Sequence, residues 1–336
     1  DPMAHLYITD NGSTLGIDGG RYVIKQKQDL VRSIPKESIE SITIFGNSSI
    51  TTPCIQSLLM SKTPVCFFSG KGKYYGRLHG IESEKVEILK KQFNLFDDEN
   101  FCTALSVRMV AAKIHNQQIV LSRYAKTVGK QVESEFEMMK TMEKKVLHAQ
   151  SAGEAMGYEG MAAKVYFKAL GEIVQPDFKF YGRTKRPPRD PFNSLISLGY
   201  TLLLYEIMSK IETERMSPYC GILHTVRDGS PALCSDMMEE WRAVIADAVA
   251  LSMIQGNEIH IDDFTTDDDY VGIYLSNPAL RKFINKFERK LNMKNKYLAY
   301  EQKEYSFRQA IHVQCRQMSA CINEKDPDLY LPVRIR

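Results

Sequence analysis

The chain has 336 residues, of which 43% are hydrophobic and 25% charged, with a formal net charge of only +3. This is the balance of an ordinary soluble globular protein, long enough for two domains, and its small charge gives no bulk electrostatic argument for nucleic acid. No apolar run is long enough to cross a bilayer and no signal peptide is expected; the scattered cysteines, without a close pair, suit reduced thiols in a cytoplasm.

Asp1-Pro2 ahead of Met3 reads as a cloning scar. From there to about residue 80 the pattern is strand-like. HLYIT, TLGID and RYVIKQ are β-rich runs separated by the turn signals DNGS and GG. SITIF and PVCFF follow as buried strands with PCIQSLLM between them as a short helix, and KYYGRL closes the unit. Alternation is weak, so this part reads as a small sheet or β-roll. After about residue 84 the period becomes helical, through SEKVEILKKQFNLF, a long run from Asn100 to Tyr124, and KQVESEFEMMKTMEKKVLHAQ. Further helices are expected at 159–173, 191–215, 236–255, 278–291 and 301–323. The prolines and charges of GRTKRPPRDP (182–191) mark the clearest loop. The fold class expected is α+β: a small β-rich N-terminal domain over 1–83, then a larger all-α domain over 84–336. Seven cysteines without a close C-x-x-C pair argue for reduced thiols and against a disulfide framework or zinc knuckle.

Within the helical part, LHTVRDGSPALCSDMMEEWRAVIADAV brings a histidine, His224, ahead of a helix opening with Ser235, Asp236, Glu239 and Glu240. Acidic residues in a first turn suit the positive end of the helix dipole, and Ser235 reads as a cap. Against simple capping, Met237, Trp241, Val244, Ala248 and Leu251 form an apolar stripe, while Asp236 and Glu239 share a side continued by Ala243, Ala246 and Ala250. Small residues there imply a second element packed closely over that side, with both carboxylates at the mouth of a cleft. Glu159, in GYEGMAAKVYFKAL, lies in line with Ala162, Ala163, Tyr166, Phe167 and Leu170. A carboxylate on that face needs a cation, either a salt-bridge partner or a metal. One imidazole with two or three carboxylates suits a hard-to-borderline divalent ion, Mg²⁺ or Mn²⁺, able to polarise a phosphate. A lone histidine is also commonly structural, so both readings stand at this point.

The strings GYEGMAAKVYF, RTKRPPRDPFNSLISLGYTLL and LHTVRDGSPALCSDMMEEWR, in that order, resemble the CRISPR-associated protein one family. The resemblance continues through IDDFTTDDDYVGIYLSNPALRKFINKFERK and FRQAIHVQCRQMSACI and reaches back to LYITDNGSTLGIDGGRYVIK, nearly the whole chain. It implies a metal-dependent integrase and nuclease of CRISPR adaptation. Prespacer duplexes would be inserted into the CRISPR array by attack of a 3′-hydroxyl on a repeat phosphodiester. It also implies the two-part fold, a homodimer through the β-rich domain, and a partner dimer of CRISPR-associated protein two. The family's metal-binding Glu falls on Glu159 in its G-x-E-G string, its His on His224 in GILH, and its third acid on Glu239, where many relatives carry Asp. Asp236 is the supporting acid. A stand-alone hydrolytic nuclease on branched DNA and a DNA-binding scaffold are the competing functions.

Arg183, Lys185, Arg186 and Arg189 concentrate charge in a loop stiffened by Pro187 and Pro188; its place between the Glu159 helix and the His224 segment suits phosphate contacts, with a solvated linker as the alternative. Arg308 and Arg316, eight apart on the last helix, are expected to extend the track. Tyr166 and Tyr181 are candidates for stacking on a splayed DNA end.

Overall fold

Short runs of β-branched residues punctuated by positive-φ turns set the first part of the chain. In this computed structural model, which describes residues 4–80, 86–185, 187–224, 229–266, 271–295 and 303–336, the runs become β1 (Ala4–Ile8), β2 (Ser13–Asp18) and β3 (Arg21–Gln26). Next come β4 (Asp29–Pro35), β5 (Ile39–Phe45), β6 (Ser49–Ile50), α1 (Thr52–Met60), β7 (Val65–Phe68) and β8 (Tyr74–Leu78). Asp18 pairs with Arg21, so Gly19 and Gly20 are a two-residue hairpin with φ 52° and 79°, the left-handed pair that a type I′ turn requires.

Two four-stranded sheets result, ordered β1-β5-β7-β8 and β4-β3-β2-β6. β5 pairs in parallel with both β1 and β7, and β7 is antiparallel to β8. Leu6, Ile8, Leu15, Tyr22, Ile42, Ile44 and Val65 are buried in one core with Cys54 and Leu58 of α1. Strand β4 escapes a pattern reading because its first residues are exposed and its turn is Lys27-Gln28, which adopt φ 48° and 75° without a glycine. Contacts divide the chain into Asp1–Ser83 with Leu275–Arg281, and Glu84–Tyr274 with Lys282–Arg336. Within the first unit, Asn277 Nδ2 donates to the Thr9 carbonyl at 3.1 Å and Arg281 Nε to Thr9 Oγ1 at 3.0 Å.

The second part is helical: α2 (Val86–Phe96), α3 (Glu99–Thr127), α4 (Glu133–Val146), α5 (Ala152–Ile173) and α6 (Pro191–Thr213). α7 (Ala232–Met238), a π turn (Arg242–Asp247), α8 (Ala248–Gln255), α9 (Asn277–Asn292) and α10 (Phe307–Glu324) complete it. Two short ribbons, Phe264–Thr266 with Ile273–Leu275 and Lys294–Asn295 with Tyr305–Ser306, interrupt the helices. Caps fix where helices start. Asp98 accepts from Asn100 and Phe101 at α3, Ser151 from Glu154 at α5, Asp190 from Asn193 at α6, and Ser306 makes a capping box with Gln309 at α10.

The helix expected from residue 236 starts earlier and is not continuous. It begins at Ala232 after Pro231, so Ser235 is not its cap and the acids sit at its end rather than its first turn. The register then loosens into the π turn, an irregularity frequent at functional sites. The small residues do admit a close neighbour: a Cβ added to Gly199 of α6 would stand 2.8 Å from the Ala246 Cβ.

Buried polar side chains of α3 tie this segment to the C-terminus. Asn116 Nδ2 donates to the carbonyls of Glu240 (3.0 Å) and Val333 (2.9 Å), and its Oδ1 accepts from Ile335 N–H (3.0 Å). Asn116→Ala would strand these backbone groups, each costing about 1–3 kcal/mol when buried without a partner. We expect a loss of roughly 2–4 kcal/mol, read as a lower urea midpoint at unchanged slope; a shift below about 0.5 kcal/mol would show that the tail is held otherwise.

Candidate active site

Three elements of the helical unit converge on a cleft of about 540 Å³ that contains Glu159 of α5, Lys113 of α3, and His224, Glu239 and Arg242 from the segment around α7. The face of α5 that carries Glu159 borders this cleft with Gly160, Ala163 and Phe167, whereas Ala162, Tyr166 and Leu170 are buried. Glu159 is thus at the edge of the apolar face, not within it.

Glu239 is 5% exposed and surrounded by cations. Its Oε1 accepts from Arg242 Nε at 3.1 Å and stands 3.8 Å from His224 Nε2. The Lys113 ammonium pairs with Oε2 of Glu239 and Oε1 of Glu159, bridging the two carboxylates. Burial alone would push the Glu239 carboxyl up, but Arg242, then Lys113 and His224, outweigh it and hold the group down at about 2.

Asp236 does something different. It is fully buried, its Oδ2 accepts from Ile222 N–H (2.5 Å) and Leu223 N–H (3.0 Å), and its Oδ1 accepts from His224 N–H (3.1 Å). That same oxygen lies 2.5 Å from His224 Nδ1. The carboxylate is consumed in shaping the loop and orienting the ring, and it is not at the cleft mouth. Gly221 permits this approach, because a Cβ there would stand 2.7 Å from Asp236 Oδ2. With Nδ1–H donated to Asp236, the lone pair of the neutral ring is on Nε2, on the Glu239 side.

Behind the cleft wall, Asp247 accepts from Tyr200 (2.7 Å) and Tyr166 (2.9 Å), and burial pushes it up to about 6 against those two hydroxyls. The guanidinium carbons of Arg242 and Arg183 lie 4.8 and 5.1 Å from the Tyr200 ring centre. Buried Tyr166 has no face to offer a DNA base, while Tyr181 is 93% exposed and lines the cleft.

The expected basic track divides. Arg183 lines the cleft but is held by Asn193 Oδ1 (2.7 Å) and Ser197 Oγ (3.1 Å); Lys185 and Arg189 are exposed. Arg186 lies outside the described residues. Arg308 is buried and its guanidinium is spent on Glu206 (2.9 Å), Glu288 (2.7 Å) and Asn292 (3.2 Å), so the expectation that it contacts DNA is withdrawn. Arg316 is exposed. Lys164 and Lys168, one turn apart on the cleft side of α5, escaped the sequence reading, as did Lys113 and Arg242. Lys113 had a signal: with Asn116, Gln117 and Gln118 it forms a polar run that follows the apolar stretch Met109–Ala112.

The donor chemistry fits a divalent cation. Two carboxylates converge on one positive charge with an imidazole beside them, and buried Glu239 Oε2 has that ammonium as its partner. Among the described residues, no three His, Cys, Asp or Glu side chains already stand grouped as a metal site.

This two-part fold and acid–imidazole cleft define a family on comparison with known proteins. Residues 6–289 match the family model for CRISPR associated protein Cas1, and the chain belongs to that family. It is 33% identical over 333 residues to the CRISPR-associated endonuclease Cas1 of Mycobacterium tuberculosis, covering 99% of this chain and 98% of that one. Against CRISPR-associated endonuclease Cas1 3 of Thermus thermophilus it is 33% identical over 290 residues, 85% of this chain and 84% of that one. Its fold is shared with a Cas1 protein from Thermotoga maritima (TM-score 0.79, 22% identity, 95% and 97% coverage) and with a casposase bound to integration product (0.81, 22%, 96% and 91%). It also matches 36% of a chain in a Cas6-RT-Cas1–Cas2 complex, over 99% of its own length (0.84, 24%).

The His224–Asp236 bond raises the imidazole above its usual 6.5, against burial, which lowers it. In the sign of the linkage, His224 contributes stability below about pH 6.5 that is lost as pH rises through the folded value. A proton titration of the ring by NMR in the metal-free protein should give a midpoint above the usual value, falling in Asp236→Asn. A wild-type midpoint at or below it would contradict the bond.

Proposed function

We propose that the chain is a metal-dependent DNA integrase of CRISPR adaptation, joining the 3′-hydroxyl of a prespacer strand to a phosphodiester of the CRISPR repeat. The observation that carries this is the charge layout of the cleft. Lys113, Lys164, Lys168, Arg183, Lys185 and Arg242 surround only two carboxylates, Glu159 and Glu239, with an imidazole beside them. That is a pocket for a polyanion with a cation-holding centre.

Glu159, His224 Nε2 and Glu239 would hold Mg²⁺ or Mn²⁺, which when bound supplies Lewis-acid neutralisation of the attacked phosphate. The protein's own contributions are positional. Asp236 fixes the His224 ring and the loop that carries it. Arg242 holds Glu239 in its buried rotamer from one side. Lys164, Lys168 and Lys185 attract the backbone at the cleft rim, and Tyr181 offers a ring for a base at its mouth. The partners in this reading are double-stranded prespacer and repeat DNA, a second copy of the chain, and a dimer of the Cas2 type, in the cytoplasm. The shared fold with a casposase bound to integration product and with a Cas1 module in a Cas2 complex supports joining and that partnership. Among the described residues no helix is long and apolar enough to cross a membrane. The endonuclease names of the relatives favour a second reading, hydrolysis of branched DNA without joining.

Incubation of a short duplex bearing free 3′-hydroxyls with a repeat-carrying supercoiled plasmid, with and without the Cas2-type partner, separates the two. Covalent joining is expected; nicking without joining would support the nuclease. In that assay Glu159→Gln and His224→Ala should each lower joining at least roughly 100-fold while leaving the melting profile cooperative. Joining near the wild-type rate by either variant would remove that residue from the site.

The exposed part of the basic loop has its own readout. Lys185→Ala with Arg189→Ala should flatten the log–log salt dependence of prespacer binding by roughly one unit per lost phosphate contact. An unchanged slope would make the loop a solvated linker.

A further inference from the structure

Lys113 is the least expected member of the cleft, because an ammonium has no place among the ligands of a cation. It is 8% exposed and comes from α3, facing Glu159 on α5 and Glu239 beyond α7. Its Nζ contacts one oxygen of each carboxylate, so it stands between two of the three groups assigned to the metal. Without it the two carboxylates would confront one another in a largely buried site, a strongly unfavourable arrangement. Yet a divalent ion binding both oxygens would meet the ammonium at close range, where like charges repel strongly away from water. The two cations cannot share that position.

The same helix offers a place to go. Gln117, one turn along α3 and 2% exposed, lines the same cleft. Its carboxamide oxygen is buried with no hydrogen-bond partner, an arrangement that normally costs stability unless the acceptor is used in another state.

We propose that Lys113 is the resident counter-ion of the Glu159–Glu239 pair when no metal is bound, and that a divalent cation enters by exchange, the ammonium moving to the Gln117 carboxamide oxygen. The exchange rests on the metal reading of the cleft. It makes Lys113 a positioning residue: it keeps the carboxylates converging before the metal arrives, and metal affinity is lowered by the cost of its displacement. The lone acceptor on Gln117 then has a function in the loaded state.

The test is calorimetric titration of the full-length protein with Mn²⁺, alongside melting of the chelated, metal-free protein. Lys113→Met should bind Mn²⁺ more tightly, by roughly tenfold, and should melt several degrees lower without metal, since Glu159 then loses its cation and Glu239 keeps only Arg242 and His224 on its other oxygen. Gln117→Leu should bind Mn²⁺ more weakly, because the displaced ammonium loses its acceptor, and should melt no lower than wild type without metal. Equal or weaker Mn²⁺ binding by Lys113→Met overturns the exchange, and unchanged binding by Gln117→Leu overturns the receiving role of the amide. Gln117→Leu keeps the ammonium and both carboxylates, so it carries the test if Lys113→Met does not fold. A wild-type protein that binds no Mn²⁺ overturns the metal reading itself; wild-type binding with unaltered variants overturns only the exchange.

Discussion

A carboxylate cannot be taken out of water without a cation, and the burial of Glu239 organises the helical unit around that rule. Three elements each deliver a partner to it: α3 brings the ammonium of Lys113, the π turn brings the guanidinium of Arg242, and the loop before α7 brings the imidazole of His224. Such a cluster is a poor source of stability, because the desolvation of every member offsets much of the attraction. What it provides is preorganisation. The acid is kept ionised and in one place, which is what the proposed cation-holding role would require of it.

Other oddities follow from the same requirement. Lys113 is buried in a 29-residue helix because its partners are across the interface on α5 and beyond α7. Asp236 is hidden behind His224, where its carboxylate fixes the Nδ1 side of the ring and leaves Nε2 toward Glu239. Gly221 is small because the loop backbone has to reach that carboxylate, and Gly199 is small because α6 must pack against Ala246 in the π turn. Charge is therefore sorted by depth. Paired ions lie at the centre of the cleft, while the exposed lysines 164, 168 and 185 at its rim are free to meet a polyanion.

Much of this was legible in the sequence. The change from strand-like runs to helical periodicity near residue 84 anticipates the β-rich and helical parts, because turn glycines and apolar spacing are local signals. Strand β4 was not legible, since an exposed edge strand entered through Lys27-Gln28 has neither alternation nor a glycine turn. The start of α7 was misread because Pro231 and Ala232 carry no cap side chain, so Ser235, inside the helix, imitated one. At the site, residue type and pattern drew attention to Glu159, His224, Asp236 and Glu239, and the family resemblance singled out three of them, while Arg242 went unread and Lys113 left only the faint signal of a polar run. Their partners lie on other elements or across an irregular turn, and only the packed structure brings them together. Arg308 shows the opposite failure: an arginine on a helix reads as surface charge until Glu206 and Glu288 are found enclosing it.

The central claim is that Glu159, His224 and Glu239 are one cation site, now bridged by an ammonium. Anomalous scattering from crystals equilibrated with MnCl₂ addresses it most directly. The account predicts a single strong peak within about 2.3 Å of oxygens from both glutamates and of His224 Nε2, with Lys113 no longer between the carboxylates. A map at saturating Mn²⁺ with no peak there, and Lys113 still bridging Glu159 and Glu239, would contradict it.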